Sequence, residues 1–142
     1  MRPEIEAFDH IHVFVEDRPA AEQWYERVLG FVRSKELEFW AVNGGPLTFQ
    51  NSTGTVHLAL FERPRERNRA TIALRVGAEQ FGQWLSHLRA ELRGGVTVED
   101  HEVSMSLYFK DPDGNPYEIT TYEYACVKRL LPGKARPSNS DA

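Results

Sequence analysis

The chain has 142 residues, with 17 Lys and Arg against 21 Asp and Glu and a formal charge of −4. With 41% hydrophobic residues and no apolar run near the roughly 18 residues that cross a bilayer, it reads as one globular domain, neither disordered nor membrane-spanning. Mild acidity leaves no basic footprint for nucleic acid, and the lone Cys126 excludes an intrachain disulfide or a cysteine-rich metal site; the cytoplasm is the expected compartment.

Phe8 to Val15 alternates, with Ile11, Val13 and Val15 on one face and His10, His12 and Phe14 on the other, as a strand does. Asp17 is a candidate N-cap and Pro19 a first-turn residue. Ala21, Trp24, Tyr25, Val28 and Leu29 then recur at helical spacing, and Gly30 is placed to end that helix in a left-handed conformation. Short strands are expected at Phe31–Arg33, Leu37–Val42, Leu47–Gln50 and Val56–Phe61, separated by Asn-Gly-Gly-Pro and Asn-Ser-Thr-Gly turns. The charged run Glu62–Arg69 reads as a solvated linker.

The pattern then starts again. Thr71–Val76 is a second alternating strand, and Ala78–Leu92 carries a helix with Phe81, Trp84, Leu85, Leu88 and Leu92 on one stripe, closed by Gly94-Gly95. Val96–Val98, Val103–Phe109 and Tyr117–Thr121 supply three strands, the last two joined by the turn Asp111-Pro112-Asp113-Gly114-Asn115. Both halves read strand, helix, three strands (βαβββ), a repeat of about 60 residues that suggests pseudo-twofold symmetry with a site at the junction. The expected division is one α+β domain over residues 1–125, with module one at 8–62, a linker at 62–69 and module two at 70–122, followed by an extension at 126–142. From Lys128 to Ala142 the sequence is rich in Pro, Ser and Gly and reads as a frayed tail.

Of the five histidines, His87 and His101 read as surface residues. His57, in the strand VHLALF, faces the same way as His10 and His12 if the fully apolar set packs inward. Glu118 interrupts the last strand between Tyr117 and Ile119, and a carboxylate in a core strand is costly unless paired or bound to a cation. His10, His57 and Glu118 together would suit Fe, Mn, Ni or Zn as a divalent ion. The alternative is that the histidines are hydrogen-bonded core residues and that Glu118 pairs with an arginine, since alternation cannot say which strands are neighbours. Tyr108 is a candidate hydrogen-bond donor, Arg75 is expected to face solvent, Trp24 and Trp84 are expected in the core, and Trp40 suits either a pocket wall or an interface. No phosphate-binding loop, Gly-x-Ser-x-Gly elbow or Cys–His pattern is present.

The stretches DHIHVFVEDRPAAEQWYERVLGF and YFKDPDGNPYEIT resemble the vicinal oxygen chelate superfamily, which includes glyoxalase I, fosfomycin-resistance transferases, bleomycin-resistance proteins and extradiol dioxygenases. The resemblance covers about residues 8–122, βαβββ order included. It implies paired modules forming a cup-shaped, partly open barrel, a divalent metal or a hydrophobic ligand held in the cup, and a homodimer. His10 matches the family's ligand on the first strand, and Glu118 matches the ligand after the Asp-Pro-Asp-Gly-Asn turn. Thr71 departs from the family pattern, standing where metal-dependent members carry His; either His57 replaces that ligand or the site is metal-free. The resemblance therefore implies a metal-dependent lyase, isomerase, transferase or dioxygenase acting on a small molecule with adjacent oxygens, with His12, Tyr108 and Glu118 as catalytic candidates. The alternative is a metal-free protein that sequesters a small molecule in a cup lined by Trp40, Phe14 and Tyr108. Phe14, two residues after His12, stands where a glutathione-binding member carries a basic residue.

Overall fold

The computed structural model describes residues 1–131 and 136–137. The chain divides into two compact units, Met1–Arg67 and Asn68–Ala142.

The first unit opens with strand β1 (Ile11–Val15), followed by helix α1 (Arg18–Trp24), a π-helical turn (Tyr25–Leu29), β2 (Val32–Arg33), a 3-10 helix (Lys35–Trp40), β3 (Leu47–Gln50) and β4 (His57–Glu62). The local signals act as expected. The Asp17 carboxylate accepts a hydrogen bond from the Ala20 amide at 3.1 Å and caps α1, with Pro19 in the first turn. Gly30 adopts φ 70°, and the Phe31 N–H donates back to the Tyr25 carbonyl at 3.1 Å, closing the helical segment in a Schellman-like end. The sheet runs β1-β4-β3-β2, with β1 parallel to β4 and the other pairs antiparallel. Val13, Val15, Leu58 and Leu60 are fully buried on one face, together with Tyr25 and Val28 of the helical segment. Each such side chain contributes about 1.5–3 kcal/mol by leaving water. Tyr25 stacks on Phe49 of β3, their ring centroids 6.4 Å apart.

One expectation fails here. Leu37–Val42 is not a strand: Lys35–Trp40 forms a 3-10 helix, and the chain reverses through Asn43 and Gly44, both at positive φ. The run Leu-Glu-Phe-Trp-Ala-Val lacks the two-residue alternation of a half-buried strand, and Phe39 and Val42 stay exposed, so no buried face rewards an extended backbone.

The second unit comprises β5 (Ile72–Arg75), α2 (Ala78–Glu91), β6 (Thr97–Asp100), β7 (Met105–Lys110), β8 (Pro116–Thr121), α3 (Tyr124–Leu130) and β9 (Arg136–Pro137). Its sheet runs β5-β8-β7-β6-β9, with β5 parallel to β8. Phe81, Leu85 and Leu88 of α2 are buried, as are Ile72, Leu107, Ile119 and Tyr117 of the sheet. Trp84, expected in the core beside them, is only half-buried and meets the His87 ring edge-on at 5.6 Å. Gly77 offers no side chain to cap α2; the Glu123 carboxylate, arriving from the start of α3, accepts from the Ala78 amide instead. Lys128–Leu130, read from sequence as tail, belong to α3, and the remaining tail residues other than 131 and 136–137 lie outside the described residues. Each unit thus has the βαβββ order, an α+β architecture with an unclosed mixed sheet in each module.

Candidate functional site

The register of the first sheet makes neighbours of residues that alternation alone could only assign to a face. Ile11 lies opposite Leu58 and His12 opposite Ala59, so His10, one residue before Ile11, is placed beside His57. His57 in turn pairs with Gln50 of β3. His10 and His57 line one cavity of about 420 Å³, together with Asp9, Thr48 and Ala59.

Asp9 and His12 settle the protonation pattern of His10. The Asp9 carboxylate lies 2.6 Å from His10 Nδ1 and can only accept, so Nδ1 carries the proton. His10 Nε2 is left with a lone pair, and His12 Nε2 lies 3.1 Å away as its donor. A carboxylate holding the far nitrogen of an imidazole is the arrangement that orients histidines toward divalent cations. The His12 ring also packs against Phe61, with centroids 4.7 Å apart. One imidazole with this outer support, His10, beside a second, His57, has the donor chemistry of a divalent ion of the Fe, Mn, Ni or Zn kind.

In the second unit a polar network covers the face of the sheet opposite α2. Glu118 of β8 lies opposite Tyr108 of β7 and Ala73 of β5. The Ser106 hydroxyl donates to Glu118 Oε2 at 2.7 Å and lies 3.1 Å from the Thr120 hydroxyl. Ser106 is fully buried and Glu118 half-buried, so the carboxylate is held rather than free to swing. The Tyr108 hydroxyl lies 2.9 Å from His101 Nε2. Burial first, and the facing Glu118 charge second, push the Tyr108 phenol above its ordinary range, so it stays a protonated donor through neutral pH.

His101 is thus a correction to the sequence reading. It is half-buried in the network, 3.8 Å from Glu99 as well as bonded to Tyr108. The signal was available in the hairpin: Glu99 pairs with Ser106 and Asp100 with Met105, which brings the residue after β6 back toward β7. Asp9 was likewise missed, although it adjoins His10.

The turn before Glu118 is built as its sequence suggests. The Asp111 carboxylate accepts from the Asp113 and Asn115 amides, at 2.9 and 2.8 Å, and from Asn115 Nδ2 at 2.7 Å. Gly114 takes φ 85°, which favours glycine.

The internal repeat shows which positions differ between the halves. Ile11 opposite Leu58 corresponds to Ile72 opposite Tyr117, so His10 is matched by the exposed Thr71 and Glu118 by Ala59. His57 falls at the register position of Pro116. Among the described residues, no three His, Cys, Asp or Glu side chains gather as a metal-holding group, His10, His57 and Glu118 included. His10, His12 and His57 belong to the first unit, and Tyr108 and Glu118 to the second. Among the described residues no helix is long and apolar enough to cross a membrane.

The fold is similar to that of an integron cassette protein from the Halifax Harbour sewage-outfall metagenome, at 21% identity and a TM-score of 0.66 over 82% of this chain and 99% of that one. It is also similar to the fosfomycin resistance protein FosX of Listeria monocytogenes, crystallised with Mn(II) and sulfate, at 16% identity and a TM-score of 0.62 over 89% and 98%. A putative glyoxalase family protein of Bacillus anthracis matches at 22% identity and a TM-score of 0.59 over 86% and 99%. Residues 7–119 match the model of the Glyoxalase/Bleomycin resistance protein/Dioxygenase superfamily, which takes in both modules, and the chain belongs to that superfamily.

Proposed function

We propose that the protein is a divalent-metal-dependent enzyme of the vicinal oxygen chelate type, a lyase, isomerase, transferase or dioxygenase acting on a small molecule with two adjacent oxygens. His10, His57 and Glu118 are its metal ligands. The observation that carries the reading is the Asp9–His10 bond beside His57, which holds the His10 ring by Nδ1 at a cavity shared with a second imidazole. The presence of Mn(II) in FosX supports a divalent ion as the family's chemistry.

Such an ion, when bound, acts as a Lewis acid toward a substrate oxygen. The chain's own residues supply the rest. Ser106 orients the Glu118 carboxylate by donating to Oε2, which fixes the direction of its lone pairs. Tyr108, kept protonated by burial and by Glu118, donates a hydrogen bond to a developing oxyanion rather than acting as a phenolate. His12, packed against Phe61 and bonded to His10, carries a proton at Nε2. The functional form is a homodimer in the cytoplasm, a reading supported by the exposure of Ile5, Phe8, Phe39 and Val42 and by the single free cysteine.

A second reading has its own observation. Thr71 and Ala59, the repeat counterparts of His10 and Glu118, offer no good donor, and the first unit's cavity is partly walled by Leu37, Trp40 and Pro46. A metal-free protein that sequesters a small molecule would have both features. Metal analysis of protein purified without a histidine tag, before and after incubation with Mn(II), separates the two. Near-stoichiometric metal that falls sharply in His10→Ala and His57→Ala supports the enzyme; less than about a tenth of an equivalent after reconstitution rejects it.

A further inference from the structure

The first unit's cavity has two walls of opposite chemistry. Asp9, His10, Thr48 and His57 form the polar one. Leu37, Trp40, Pro46 and Ala59 form the other, and among the described residues neither Lys nor Arg lines the cavity. The Trp40 indole on that wall is 47% exposed and meets Phe39 edge-on at 5.5 Å. A large aromatic surface left half in water beside two imidazoles gains by being covered.

Trp40 is held in place from a distance. It ends the 3-10 helix Lys35–Trp40, whose following loop turns back over Ala41–Gly45. Arg18, the first residue of α1, sends its guanidinium into that loop: Nη1 donates to the Gly45 carbonyl at 2.6 Å and Nη2 reaches the Ala41 carbonyl at 3.5 Å. The base of Arg18 is tied down as well, its backbone N–H donating to Glu62 Oε2 at 3.0 Å. A Cβ on Gly45 would collide with the Trp40 carbonyl oxygen, so the absence of a side chain lets the loop close against the Trp40 backbone.

We propose that Trp40 is the specificity-determining residue of this cavity, selecting small molecules whose oxygen-bearing end adjoins a flat, uncharged apolar body, and that Arg18 is the positioning residue that sets the Trp40 wall. This rests on reading the His10–His57 cavity as the substrate site, and it is independent of whether a metal is bound. The described lining, with two imidazoles, one carboxylate and an apolar wall, favours an uncharged body over one bearing several anionic groups, and a volume of about 420 Å³ suits a small molecule.

The test compares naphthalene-2,3-diol with catechol on Mn(II)-loaded protein, and 2-naphthol with phenol on metal-free protein, by titration calorimetry. The expected result is a preference for the larger ring of about tenfold in both arms, from the extra apolar area covered by the indole. Trp40→Ala brings that ratio close to unity while leaving Mn(II) affinity unchanged, and Trp40→Phe, the milder replacement, retains most of it. Arg18→Met narrows the ratio and speeds amide exchange over Ala41–Gly45 without altering the far-ultraviolet circular dichroism. An unchanged ratio in folded Trp40→Ala and Trp40→Phe overturns the proposal, as does equal affinity for both ring sizes in the native protein. If Mn(II) does not bind while the 2-naphthol preference persists and depends on Trp40, the metal reading fails and the Trp40 wall stands.

Discussion

Replacing Asn115 with Ala tests how the turn that precedes Glu118 is held. Asn115 is fully buried, and its side chain makes two short bonds: Nδ2 donates to Asp111 Oδ2 at 2.7 Å, and Oδ1 accepts from the Asn68 amide at 2.7 Å. The first bond is to a carboxylate that is itself 5% exposed, and a hydrogen bond to a charged group contributes about 1.5–3 kcal/mol, against about 0.5–1.5 kcal/mol for the neutral second bond. Their sum gives an expected loss of about 2–4.5 kcal/mol, a large share of the stability of a chain this size. With a urea dependence of about 2 kcal/mol per molar, the unfolding midpoint should fall by about 1–2 M. Asn115→Asp keeps the shape but sets a second carboxylate against Asp111, so its loss should match or exceed that of Ala at pH 7. A midpoint shift under about 0.3 M for Asn115→Ala would refute the view that these two bonds hold the turn.

Gly45→Ala should destabilise the Trp40 loop through collision with the Trp40 carbonyl oxygen, by about 2 kcal/mol or more in urea unfolding, with the Trp40 emission shifted. Asp100 gives a pH-dependent case. Burial raises its pKa, but the Glu102 amide, the Tyr124 hydroxyl and Lys128 outweigh that and hold the carboxyl below its ordinary range. A depressed carboxyl contributes stability above its unfolded value that is lost as pH falls through the folded one, so Asp100→Asn should flatten the stability profile below about pH 4. Removing Asp9 frees the His10 ring, and Asp9→Ala should weaken Mn(II) binding by about 10–100-fold in a fluorescence or calorimetric titration, with secondary structure unchanged.

The parts of the fold that were legible in sequence are those governed by local rules. Asp17, Pro19 and Gly30 mark the ends of the first helical segment because each satisfies or forgoes a backbone group at a helix terminus, and such signals need only neighbours in sequence. The faces of β1 and β4 followed from alternation, because Val13, Val15, Leu58 and Leu60 form the fully buried set, with the small Ala59 the buried residue on the other face of β4. The repeat disclosed the order of strands and helices, though not which strands touch: that His10 is placed beside His57 depends on β1 pairing with β4 across 46 residues of intervening chain, which periodicity cannot report.

What escaped sequence reasoning depends on long-range or context-dependent contacts. Leu37–Val42 has strand-like composition, yet its aromatic side chains face the cavity and solvent, and the short 3-10 helix answers to Arg18 reaching in from α1. His101 looked like one more polar residue in an acidic connection because its partner, the Tyr108 hydroxyl, arrives only when the hairpin closes. The helix Tyr124–Leu130 begins in a sequence without a capping residue of its own, and its Glu123 spends its carboxylate on α2 instead. The candidate ligands divide in the same way. Glu118 was marked by a charge in a core strand, whereas the help it receives from Ser106 and Tyr108 follows from the register of β7 on β8.

In the proposed metal centre His10, His57 and Glu118 hold a divalent ion. Anomalous diffraction from crystals of the Mn(II)-loaded protein tests it most directly. The expected result is one strong peak within coordination distance of a nitrogen of His10, a nitrogen of His57 and an oxygen of Glu118. A peak bound by other residues, or no peak from crystals grown in excess Mn(II), would contradict it.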